Sequence, residues 1–272
     1  MSILEEIRKC IAFVGYEDKV KGGFNSAGTA FFISMESKKP NENFIYVVTA
    51  RHVIDGMKNK GVLEPVLRIN AKDDSYKLVK TPIGKWSPHC EDPSVDVAIL
   101  QFAPPTEICD YATISLPKMV ANEKIIESES IGAGHEIFLA GVFVHHSGKQ
   151  RNLPVIRTGN IALMPEEPIS TESFGDIDAY LVESRSIGGL SGSPVFVKCG
   201  GLKGNILKSD CFYFLGLMHG HWDKTEEIQK DSVMDTVSKE IVNMGMAIVV
   251  PSTKILEAIR ALNKANSIET KD

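Results

Sequence analysis

Three observations predict an all-β fold, a sandwich or a pair of barrels. Short runs rich in β-branched and aromatic residues recur along most of the chain. Gly, Pro, Asn and Asp separate them as turns. Long helical patterns do not alternate with them, which argues against a doubly wound parallel sheet.

In order, Ser2 and Glu5 have the spacing of a capping box, which predicts a short helix with Ile3, Leu4 and Ile7 on one side. Strands are then predicted at residues 10–14, 28–34, 44–48, 95–100, 136–140, 179–182, 194–197, 212–215 and 246–250. The stretch 103–124, with Pro104, Pro105 and Pro117, reads as a linker crossing between two β halves. Ile255, Leu256, Ile259 and Leu262 follow helical spacing after Pro251 and predict a closing helix, with a polar tail that frays beyond Asn263. The expected division is 1–118, 119–250 and 251–272. Residues 221–243 carry nine charged side chains between two strong strands, which predicts a surface loop or short helix.

Composition is that of a globular protein, with 43% hydrophobic and 24% charged residues in 272. A net charge of -5 offers no basic footprint for nucleic acid and no polybasic patch for a membrane surface. The acidic N-terminus does not read as a secretory signal, and no apolar run is long enough to span a bilayer. Cys199 and Cys211 could bridge the ends of one hairpin, but five scattered cysteines fit free thiols in a reducing compartment better, so a cytoplasmic location is expected.

The chemistry concentrates in Gly188-Gly189-Leu190-Ser191-Gly192-Ser193-Pro194. A serine hydroxyl is a useful nucleophile only with a base to take its proton and donors for the resulting oxyanion. Glycines on both sides allow a tight fold in which the amides of Gly189 and Ser191 point at one spot. Alone, the pattern also describes an ordinary exposed turn. His52 follows the strand Tyr46–Val48 and would be delivered to a barrel rim. Asp96 opens the apolar run Val97–Leu100, an unusual place for a charge that has no partner. Asp92 competes for that role but precedes Pro93 and suits a turn. Each residue by itself has a bland structural explanation; the order His, Asp, Ser, with the first two in one β half and the serine in the other, is what selects the functional one.

Thr49-Ala50-Arg51-His52-Val53, Asp96-Val97-Ala98-Ile99-Leu100 and Gly189-Leu190-Ser191-Gly192-Ser193-Pro194 resemble the three catalytic blocks of trypsin-like serine proteases, most closely the bacterial and HtrA-type branch. Gly28–Ile33, Gly134–Gly141 and Gly245–Ile248 extend the likeness over roughly residues 10–262. The resemblance implies two six-stranded antiparallel barrels with the site between them. It implies Ser191 as nucleophile, His52 as base, Asp96 as orienter, and Gly189 and Ser191 amides as the oxyanion hole of an endopeptidase acting through an acyl-enzyme. It implies a polypeptide substrate and no cofactor or metal.

Leu190 stands where zymogen-activated relatives carry aspartate, so activation by pairing with a new N-terminus is not expected. No cysteine flanks His52 or Ser191, unlike secreted relatives, and the residues after Pro251 suffice for one helix rather than an HtrA-type peptide-binding (PDZ) domain. By resemblance the substrate pocket draws on Arg185, Ile187, His219 and Gly220; Arg185 with His219 or His221 would favour an acidic or amide side chain, but a salt bridge from Arg185 to Glu183 or another surface acid is the better reading of that arginine. His89, His135, His145 and His146 lack metal-ligand spacing. An α/β-hydrolase elbow is excluded because Ser193 replaces its last glycine and the histidine comes early. The rival function is a protease-fold binding module that is silent or activated by a regulatory partner. Oligomeric state is left open.

Overall fold

The structure is a computed structural model and describes residues 3–18, 22–171, 174–184, 188–203, 206–229 and 237–271. It is all-β and built from two β units, as expected. The first is an eight-stranded sheet of β1 (Ile11–Glu17), β2 (Phe24–Glu36), β3 (Asn43–Thr49), β4 (Val66–Asn70), β5 (Tyr76–Lys80), β6 (Ser87–Pro88), β7 (Ala98–Gln101) and β8 (Ile114–Leu116). Its order is β5-β4-β1-β2-β3-β7-β6, with β8 parallel to β2 through Ile33–Met35. The resemblance implied six strands here. The sheet has two more, and one of its strands, β8, lies within the proline-rich stretch read as a linker, where buried Ile114 and Leu116 are held against the sheet.

The second unit is a closed six-stranded barrel, matching the implied count. Its strands are β9 (Glu136–Gly141), β10 (Val155–Leu163), β13 (Tyr180–Glu183), β14 (Pro194–Lys203), β15 (Ile206–Gln229) and β16 (Val237–Pro251); a separate two-stranded ribbon, β11 (Ile169–Thr171) with β12 (Gly175–Ile177), lies beside it. Strands β15 and β16 run on together as a ribbon, from Asp223 opposite Asn243 to Gln229 opposite Val237. This corrects the loop or short helix expected at 221–243 as far as residues 221–229 and 237–243 are concerned; residues 230–236 lie outside the described residues. Charge density drove that expectation, whereas Thr225, Ile228, Val237, Ile241 and Val242 carry the strand preference.

Among the described residues there are four α-helices: α1 (Ile3–Lys9), α2 (Arg51–Asn59), α3 (Glu123–Glu129) and α4 (Ser252–Ala265). Helix α1 has acidic residues in its first turn and basic ones in its last, which complements its dipole; its proposed cap, Ser2, lies outside the described residues. Helix α3 was not expected, although Asn122 caps it by accepting a hydrogen bond from the Ile125 amide at 3.1 Å. Helix α4 buries Ile255, Leu256 and Ile259 as its periodicity requires, and Asn263 accepts the Tyr46 hydroxyl at 2.5 Å. The tail does not fray: Thr270 bridges to Ser37 and the Lys271 amide donates to Glu36.

One core of Phe13, Phe31, Phe32, Tyr46 and Ile99 also takes in Phe196, Phe214 and Leu217 from the second unit and Ile255 and Ile259 from α4. The two units therefore share apolar burial, the dominant favourable term in folding. A second core of Leu139, Val182, Leu190, Val195, Leu215 and Val249 fills the barrel. Among the described residues no helix is long and apolar enough to cross a membrane.

Candidate active site

His52 was expected at a strand end; it lies instead in the first turn of α2, immediately after β3. The cap position of that helix is Ala50, which has no side-chain oxygen, and its first turn holds no acid. Asp96 supplies what is missing. Its Oδ1 accepts the His52 backbone N–H at 2.9 Å, and its Oδ2 meets His52 Nδ1 at 2.7 Å. The carboxylate thus satisfies one of the unpaired amides of a helix start and places negative charge at the positive end of the dipole. Asp96 is 0% exposed and sits two residues before β7, which pairs with β3 at Thr49 opposite Ala98. That pairing brings residues 52 and 96 together. Asp92 takes the turn role instead, with its Oδ1 accepting the Ser94 amide and hydroxyl.

Burial alone would push the Asp96 carboxyl up. Hydrogen bonds from His219 and His52 outweigh it and hold the carboxyl well below the usual carboxylate range. Because a carboxylate can only accept, His52 presents Nδ1–H to it and leaves a lone pair on Nε2.

Leu190, 1% exposed, plugs the barrel core beneath the Ser191 turn. Gly192 has a φ of 84°, and a Cβ there would lie 2.2 Å from Thr29 O and 2.5 Å from Thr49 Oγ1. Only glycine allows both that backbone and that approach. Gly189 has a φ of 101°, with Val142 and Val144 closing around its Cα. The turn is tied to the first unit by Thr29, whose amide donates to Ser191 O at 2.9 Å and whose hydroxyl donates to Gly189 O at 2.8 Å. The same hydroxyl accepts the Val142 amide at 3.0 Å, and Thr29 O accepts from Thr49 Oγ1 at 2.7 Å. Met218 completes the anchorage by exchanging backbone hydrogen bonds with Gly192 and Ser193 at 2.8 Å each. Among the described residues, neither the Gly189 nor the Ser191 amide donates a backbone hydrogen bond, and Ser191 Oγ is not hydrogen-bonded to His52.

Of the expected pocket residues, Arg185 and Ile187 lie outside the described residues. Gly220 faces open space, since a Cβ there would meet nothing within 4 Å. His219 turns Nδ1 onto Asp96 Oδ2 at 2.6 Å, so Asp96 holds two imidazoles on one oxygen. Sequence reasoning missed that second contact and also missed Thr29. The apolar strand around Thr29 gave no hint of a shared hydroxyl, and His219 sits at an irregularity in the β15–β16 register between Met218 and Gly220. His89 is buried, and its Nδ1 accepts the Glu91 and Asp92 amides and so holds that turn.

The histidine–aspartate pair lies on one β unit and the glycine-flanked serine turn on the other, where Thr29 of the first unit binds that turn. The chain belongs to the trypsin-like peptidase domain family, whose sequence profile matches residues 28–204. It is accordingly a serine endopeptidase that acts on polypeptides. No curated protein sequence matches it. Its fold is similar to that of Deg5, with a TM-score of 0.50 and 11% identity over 93% of this chain and 88% of that one. It is also similar to the HtrA-type protease AlgW, solved with a decapeptide, with a TM-score of 0.54 and 13% identity over 96% of this chain and 66% of that one.

Proposed function

We propose that the chain hydrolyses peptide bonds through an acyl-enzyme on Ser191, with His52 as general base and Asp96 as its orienter. The observation that carries this reading is the 2.7 Å contact of His52 Nδ1 with the fully buried Asp96 carboxylate. It fixes the tautomer that leaves Nε2 able to accept the Ser191 proton. Ser191 Oγ attacks the substrate carbonyl carbon as its proton passes to Nε2. The imidazolium, stabilised by Asp96, then gives that proton to the departing amine. Water repeats the sequence on the ester and restores the serine. Gly189 and Ser191 amides, which have no backbone acceptors among the described residues, stabilise the oxyanion. The open space beside Gly220 admits the substrate chain. Leu190, packed into the barrel core rather than carrying a charge, supports the turn without zymogen cleavage.

Reaction with a fluorophosphonate probe tests the reading. The purified chain is expected to label at one serine, and Ser191→Ala to abolish the label together with cleavage of unfolded protein. Labelling that persists in Ser191→Ala, or wild-type protein that neither labels nor cleaves, overturns it.

A further inference from the structure

The peptidase mechanism needs one imidazole on Asp96, and the structure provides two. His52 Nδ1 and His219 Nδ1 both reach Oδ2, at 2.7 and 2.6 Å, with ring centroids 5.4 Å apart at an interplanar angle of 76°. Two imidazole nitrogens and a carboxylate oxygen form a donor set suited to Zn²⁺ and its neighbours, with one position left for water. The ligating atoms of the three residues lie within 4.8 Å of one another. Tetrahedral ligands bonded at about 2.1 Å to one ion lie about 3.4 Å apart, so the two nitrogens, now 2.6 and 2.7 Å from Asp96 Oδ2, have to open from that oxygen by less than about 1 Å to admit an ion. The His52 side chain is 36% exposed and that of His219 14%, which gives an ion a route from solvent, while the fully buried Asp96 supplies the negative charge.

We propose that His52, Asp96 and His219 form an inhibitory site for a divalent transition-metal ion of the zinc type. Binding requires neither Ser191 nor turnover; only the inhibitory consequence rests on the peptidase reading. The proton balance explains that consequence. Each neutral ring begins with its proton on Nδ1. When Nδ1 gives its lone pair to the ion, the proton moves to Nε2 of the same ring, and none is gained or lost. His52 Nε2 is then a donor with no lone pair for the Ser191 hydroxyl proton. The ion silences the base by changing its tautomer and by taking its Asp96 partner.

Calorimetric titration of the chelator-stripped full chain with Zn²⁺ tests binding whether or not any peptide is cut. One equivalent is expected to bind, with affinity reduced by more than about tenfold in His219→Gln, a change that keeps an N–H toward Asp96. Absence of binding, or equal affinity in His219→Gln, overturns the proposal. A second measurement needs no variant. Co²⁺ added to the wild-type chain should shift the ring NMR signals of His52 and His219 by its paramagnetism. Shifts confined to His135, His145 or His146 overturn the assignment. If Zn²⁺ binds as expected but leaves peptide cleavage unchanged, the inhibitory role fails even though the site exists.

Discussion

On the first unit's side of the junction, position is set by side chains. Asp96 holds the His52 amide and ring at once and also takes up His219. On the barrel's side it is set by backbone: Ser191 sits in a turn that contacts its neighbours through Gly189, Gly192 and the carbonyls that Thr29 binds. On the proposed mechanism, the difference follows from what each side has to supply. A base needs a fixed tautomer and a charge beside it, which a buried carboxylate provides. A nucleophile next to an oxyanion site needs amides aimed at one point, which only the main chain provides. Damage to the first side should therefore alter chemistry with little change in shape, and damage to the second should alter shape and lose chemistry as a result.

The largest expected effect comes from Asp96→Asn. The amide preserves volume but can donate, which allows the wrong His52 tautomer and removes the charge that stabilises the imidazolium. Turnover should fall about 10⁴-fold with little change in KM or in the circular dichroism spectrum. A loss under tenfold would show that Asp96 serves mainly as the cap of α2.

Gly192→Ala attacks the other side. The added methyl would meet Thr29 O at 2.2 Å in a backbone conformation that alanine resists, so the turn must move. Displacement of the nucleophile by about 1 Å costs about 100-fold in kcat/KM. Fluorophosphonate labelling rates on the variant measure this directly, and an unchanged rate would show that the turn can relax without moving Ser191.

The same contrast explains how much of the molecule was legible in its sequence. Strand runs and the helical spacing of α4 were readable because burial of one face imposes a period on residue types. The trypsin-like family was readable because the blocks around His52, Asp96 and Ser191 stand in one order along the chain. The start of α2 was not, because Ala50 lacks a capping oxygen and the carboxylate that takes the His52 amide instead is 44 positions from that histidine. Strand β8 was hidden by the prolines around it. The ribbon extending β15 and β16 was hidden by charges that say nothing about ladder hydrogen bonds. Thr29 and the Asp96 contact of His219 depend on which surfaces meet when the two units pack, and no local pattern encodes that.

Thr29→Val makes a smaller, graded test of the joint between the two sides. Valine keeps the shape but leaves the half-buried Gly189 carbonyl and the buried Val142 amide without the hydroxyl that serves both. A loss of about 1–3 kcal/mol in unfolding free energy is expected by denaturant titration, and Thr29→Ser should recover most of it. If Thr29→Val lowers stability without slowing fluorophosphonate labelling, the joint supports the fold but does not set the position of Ser191.

The smallest effect concerns pH and returns to Asp96. Its carboxyl is held below the ordinary value of about 3.9, since the His219 and His52 hydrogen bonds outweigh burial. As pH falls, the unfolded chain therefore takes up that proton before the folded one does. The stabilisation is complete above the ordinary value and drains away as pH drops from there toward the depressed folded value. Asp96→Asn has no such proton to bind. The gap in melting temperature between wild type and Asp96→Asn should accordingly be wider at about pH 5 than at about pH 3. A gap that stays constant or widens toward pH 3 would mean that the carboxyl is not held ionised by its two histidines. In that case the first unit's side of the junction would be fixed by packing and the helix-capping contact alone.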